Sequence, residues 1–111
     1  MSNLRSVTDV SFQRDVLESP LPVLVEFTAA WCPPCRMIAP HLEAMDAERD
    51  DLDVVQLDVD ANQQAAAQYG VLSMPTMVLF RDGREAGRFV GAAPRRRLEQ
   101  QVDEMLARVV V

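Results

Sequence analysis

The sequence predicts an α/β fold, a mixed central sheet with helices on both faces, within a single domain spanning 1–111. Three observations predict it. Short β-branched runs alternate with segments of helical periodicity, the pattern of strands joined by helices. One run, "LPVLVEF" at 21–27, is apolar at nearly every position, so a strand there must be covered on both faces. Towards the C-terminal end, "RDGR" joins two strand-like runs through Asp82-Gly83, a strong two-residue hairpin signal, which makes part of the sheet antiparallel.

The elements follow in order. "TDVSFQRDVLES" begins with a capping residue, Thr8, and spaces Phe12 and Val16 one turn apart, which predicts a first helix. The "LPVLVEF" strand comes next. Ile38, Leu42 and Met45 then recur at helical spacing, predicting a helix from 33 to about 49, with Pro40 inside it as an expected kink. "LDVVQLDVD" (52–60) reads as a strand with Val55, Leu57 and Val59 on one face. "NQQAAAQYG" is a short helix stopped by Gly70. "TMVLF" and "EAGRFV" are the hairpin strands. From Pro94, placed in the first turn, Leu98, Val102, Met105, Leu106 and Val109 form one helical stripe. A further short strand is expected near "LRSV".

The composition, 49% hydrophobic and 25% charged over 111 residues, supports a core without metal or disulfide staples. A net charge of −6 argues against nucleic acid and against anionic membrane surfaces as partners. No apolar run approaches the roughly 20 residues that span a bilayer. "MSNLRSVTDV" lacks a secretory h-region, so the chain reads as cytoplasmic; an exported form with its signal removed would look the same. All eleven basic residues are arginine, which reads as codon bias. "PRRRL" reads as a solvated first turn, the run Asp50, Asp51, Asp53 as a loop, and the methionines, Met74 apart, mostly as helical core.

The chemistry sits in "AAWCPPCRM" (29–37), which holds both cysteines of the chain. With only Pro33-Pro34 between them, a disulfide closes too small a loop to stabilise the fold, so redox chemistry or metal binding is the reading. The loop follows a buried strand, at the carboxyl end where open α/β sheets place their sites. With Cys32 as N-cap, Pro33 and Pro34 fall on N1 and N2, where a missing N–H costs no helical bond. The Cys35 N–H is then free to donate to the Cys32 sulfur, and the helix dipole adds to that bond. Cys32 is therefore expected to titrate below the free value of about 8.5, near 7. Cys35, one turn in, is expected to be more buried and less reactive.

"WCPPCRMIAP" after "VLVEF", followed about 40 residues later by "SMPT" and then by "GAAP", resembles the thioredoxin family over nearly the whole chain. The resemblance implies the thioredoxin fold, a central mixed β-sheet flanked by about four α-helices, in a monomer. It implies reversible dithiol–disulfide exchange with client proteins and no bound cofactor, with electrons supplied from NADPH through a flavin-containing thioredoxin reductase. Carried over, Cys32 is the attacking thiol and Cys35 the resolving one, tuned by Pro33 and Pro34. Trp31, Met74, Pro75, Thr76 and Gly91 would receive a client chain, with the Met74–Pro75 bond cis. Three positions depart from the family pattern: Pro33-Pro34 stands for the usual Gly-Pro, Glu26 for a buried Asp, and Thr28 for an aromatic, which predicts looser packing behind the loop.

Glu26 lies mid-strand among buried residues, so desolvation should keep it protonated to near neutral pH and fit it to take a proton from Cys35. A lysine on the neighbouring strand often moderates that acid in the family; here Gln56 stands at the corresponding position. "WCPPC" also resembles tryparedoxins, specialised reductases with a dedicated partner. Two other rivals are a metal module, for which the lone His41 supplies too few ligands, and a non-catalytic binding domain that keeps the fold.

Overall fold

The computed structural model describes residues 2–108. Its elements are β1 (Arg5–Ser6), a π-helical turn (Gln13–Leu17), β2 (Val23–Thr28), α1 (Pro33–Glu48), β3 (Asp53–Asp58), α2 (Gln63–Gln68), β4 (Thr76–Arg81), β5 (Arg84–Val90) and α3 (Arg95–Ala107). The strands form one sheet in the order β1-β3-β2-β4-β5. β1, β3 and β2 run parallel, while β4 and β5 are antiparallel to their neighbours, so the sheet is mixed.

β2 is buried along its whole length because it lies at the centre of the sheet with apolar layers on both sides. Its period-2 alternation divides the core. Val23, Val25 and Phe27 meet Phe12, Val16, Ala65 and Phe80 on one face. Leu24 meets Ile38, Leu42 and Met45 of α1 with Leu98, Val102 and Met105 of α3 on the other. Alternation therefore puts Glu26 on the α1 face.

The first helix is shorter and wider than its spacing predicts. Thr8 does not cap it, because the N-cap position falls on Phe12, which has no side-chain cap bond; Thr8 instead closes a turn reciprocally with Ser11, the Ser11 N–H donating to Thr8 Oγ1 at 3.1 Å and the Thr8 N–H to Ser11 Oγ at 2.9 Å. The helix that follows is a single π turn, in which the Glu18 N–H donates to the Gln13 carbonyl at 2.9 Å. Pro20 disfavours a helical Ser19, so the segment cannot lengthen. Phe12 and Val16 are nonetheless buried, and Phe12 joins Tyr69 and Phe80 in an aromatic cluster with its ring 5.4 Å from that of Phe80.

Other boundaries shift by a residue or two. β3 is narrower than 52–60 because the chain bends at Val59 to begin the turn into α2, and Asp53 is its first residue rather than part of a loop. Pro94 is the N-cap of α3, one position before the first turn, and Val109 lies outside the described residues. α1 continues through Pro40. Of the methionines, Met45 and Met105 are helical core, but Met77 is buried on a strand and Met37 lies on the outer side of α1. Asp82 and Gly83 both take positive φ, 54° and 78°, as the tight hairpin requires.

α2 is only six residues long, and its N-terminus is capped from a distance. Asp9 accepts the N–H groups of Gln64 at 3.1 Å and Ala65 at 2.9 Å, while Asn62, at the N-cap position, spends its side chain on the Asp58 carbonyl and the Asp9 N–H. Asp9→Ala is expected to destabilise the protein by about 1 kcal/mol, the usual cost of a lost cap. Urea melts should show a lower midpoint with unchanged slope.

Candidate active site

The CPPC loop links the carboxyl end of β2 to α1, and its local geometry follows from its residues. Cys32 takes an extended conformation at the N-cap (φ −99°, ψ 102°), with Pro33 and Pro34 at N1 and N2. The first N–H that can cap is that of Cys35, and it donates to Cys32 Sγ at 3.2 Å. The two cysteines are joined as a disulfide, with Cα atoms 5.3 Å apart.

Their burial differs from expectation. Cys32 is 2% and Cys35 3% exposed, so Cys35 is no deeper than Cys32. The physical reason is that both cysteines join one small apolar cluster with Ala29, against which Val59 and Met74 pack. What separates the two cysteines is electrical: one sulfur accepts a backbone N–H at a helix start, and the other faces a cavity with an acid in it.

Around the disulfide, the loops bring most of the expected residues together. Trp31 is 62% exposed, held by an indole N–H that donates to Asp60 Oδ2 at 2.8 Å. The Met74–Pro75 bond is cis. Gly91, at φ 95°, donates its N–H to the Pro75 carbonyl at 2.9 Å, tying the β5–α3 loop to the turn before β4. Thr76 is different: it is buried, and its hydroxyl donates to the Ser73 carbonyl at 2.7 Å, so its side chain shapes the turn from within. Asp60 and Val59 are site residues that sequence reasoning missed. Each reaches the loop from β3's far end, and no local pattern marks such a contact.

Beneath the loop lies a cavity of about 300 Å³ whose lining includes Glu26, Thr28, Cys35, Pro40, Glu43 and Gln56. Thr28 forms part of its wall. Glu26 is 2% exposed and its Oε2 has no hydrogen-bond partner. Burial alone pushes its carboxyl up to about 7. Gln56 is its register partner on β3, as expected, yet offers it nothing. The Gln56 amide instead donates to the carbonyls of Ser2 at 3.1 Å and Leu4 at 2.9 Å, and its carbonyl accepts from Ser2 Oγ at 3.1 Å. The segment leading into β1 has claimed the Gln56 side chain, so it is not available to the acid.

Residues 3–104 match the family model described as Thioredoxin. The chain belongs to the thioredoxin family. Similar relatives point the same way. It is 43% identical over 107 residues to thioredoxin 1 of Synechococcus elongatus, covering 96% of this chain and 100% of the relative. It is 48% identical over 101 residues to thioredoxin of Mycobacterium tuberculosis, covering 90% of this chain and 87% of the relative. With thioredoxin of Streptomyces clavuligerus it shares 47% over 92 residues, 83% of this chain and 86% of the relative. This thioredoxin-family chain is thus a protein-disulfide oxidoreductase built on a redox-active CxxC pair. The tryparedoxin-like and non-catalytic readings are not favoured by these relatives. Among the described residues no helix is long and apolar enough to cross a membrane.

Proposed function

We propose that Cys32 and Cys35 divide the exchange between them, with Glu26 as the proton acceptor. The Cys35 N–H to Cys32 Sγ bond is the observation that carries this reading, because it stabilises a thiolate on Cys32 alone. In the reduced protein, the Cys32 thiolate attacks one sulfur of a client disulfide, and the other client sulfur leaves as a thiolate. Ionised Glu26 then takes the Cys35 proton across the cavity, directly or through water. The Cys35 thiolate attacks Cys32 Sγ, releases the second client sulfur and leaves the Cys32–Cys35 disulfide. Two electrons pass to the client.

Trp31, Met74, Pro75, the backbone of Thr76 and Gly91 form the client-facing surface in this reading, and Pro33-Pro34 holds the helix start rigid. The oxidised form is returned to the dithiol by a flavin-containing thioredoxin reductase drawing on NADPH. The working unit is a single-domain monomer of the cytoplasm, carrying electrons to disulfide-containing client proteins. Reduction of insulin disulfides tests this. With dithiothreitol as electron source, wild type should accelerate precipitation strongly over reductant alone, and Cys32→Ser should remove the acceleration. Equal rates with and without wild type would overturn the reading.

A further inference from the structure

A groove of about 280 Å³ runs between α1 and the β5–α3 loop, lined by Met37, Ile38, His41, Ala92, Ala93 and Pro94. It is apolar, and Met37 on its wall is 68% exposed. The groove's edge is also the start of α3, since Pro94 is that helix's N-cap. Arg95, Arg96 and Arg97 therefore rise from it as the first turn. Arg95 is engaged with Glu48 and Glu99. Arg96 and Arg97 are exposed and make no ion pair among the described residues.

This placement is locally unfavourable. The first turn of α3 holds three cations and no acid, at the end of the helix where the dipole already favours negative charge. A chain of net charge −6 has seventeen acids to place, yet among the described residues none lies within ion-pair distance of Arg96 or Arg97. A rule broken locally with no internal compensation points to a partner outside the chain.

We propose that the groove docks a flanking segment of the client chain, one carrying an apolar side chain beside Asp or Glu. The apolar group fills the space between Met37 and Ala93, and the acids meet Arg96 and Arg97. These two arginines are then specificity residues for the exchange reaction, selecting acidic segments for a protein whose overall charge repels them. The groove is continuous with Gly91 through Ala92, so a client held at the disulfide reaches it without leaving the surface. This rests on the reductase reading above.

The test compares two disulfide-containing peptides of equal length, each with a leucine near the cysteine, flanked by Asp and Glu in one and by Asn and Gln in the other. Wild type should reduce the acidic peptide roughly tenfold faster at low ionic strength, with the gap closing in high salt. Arg96→Glu with Arg97→Glu should invert the preference. Arg14→Glu with Arg84→Glu changes net charge equally but lies towards the opposite end of the sheet, and should leave the preference intact. Equal rates for both peptides with wild type, or the same loss of preference in both double variants, would overturn the proposal. Reduction of neither peptide would instead sink the reductase reading and the docking with it. A concentration-dependent dimer that the Arg96/Arg97 variant abolishes would assign the groove to a second copy of the chain.

Discussion

Cys35→Ser is expected to accumulate mixed disulfides with client proteins, while Cys32→Ser traps few. Serine at 35 keeps the backbone N–H that donates to Cys32 Sγ, so the first attack retains its activation. Nothing then displaces the client from Cys32. Insulin turnover should fall by roughly 10²-fold or more, the scale of losing one member of a unit that acts together. Because the two cysteines are equally covered, this experiment separates an electrical cause from a steric one. Access alone would make both variants trap alike. Non-reducing gels of lysate incubated with each variant decide it, and equal trapping would show that the roles are wrongly assigned.

Glu26→Gln is expected to be more stable than wild type at pH 8, with the difference vanishing towards pH 4. The sign follows from linkage. Burial raises the folded carboxyl to about 7, against an unfolded value of about 4.3, so the folded state holds its proton more tightly. Its contribution is fully present below pH 4 and is lost as pH rises through 7. By pH 8 the loss is on the order of 3 kcal/mol, large against a typical total stability of 5–15 kcal/mol. Glutamine removes the titration while keeping the shape. The same variant should resolve mixed disulfides more slowly, with the first attack by Cys32 almost unchanged. Urea melts of both proteins from pH 4 to pH 8 test the stability half, and parallel curves would mean that Glu26 is solvated in the folded protein.

Much of the site was legible because its causes are local. A cysteine three residues before a free N–H, with two prolines between, can cap a helix whatever the rest of the chain does. Asp82-Gly83 makes a hairpin turn because its positive φ angles suit those two residue types. The unbroken apolar run of β2 required two covering layers, and that in turn implied a buried Glu26.

The first helix was misread for a reason of the same kind in reverse: Phe12 and Val16 have helical spacing, but the Thr8–Ser11 turn and Pro20 leave room for only one wide turn between them. Met37 sits on the outer side of α1 rather than in the core, which its residue type alone could not reveal.

The sequence by itself determined the sheet class, the redox pair, the helix start that Cys32 caps and the desolvated acid beneath. Each rests on propensities or periodicities within a few residues. Only the tertiary structure decided where polar side chains separated by dozens of positions would find partners. It set Asp9 on the N-terminus of α2, Asp60 on the Trp31 indole and Gln56 on the N-terminal strand, leaving Glu26 unpaired. A polar side chain bonds to whatever partner folding brings within about 3 Å, and chain separation carries no record of that distance.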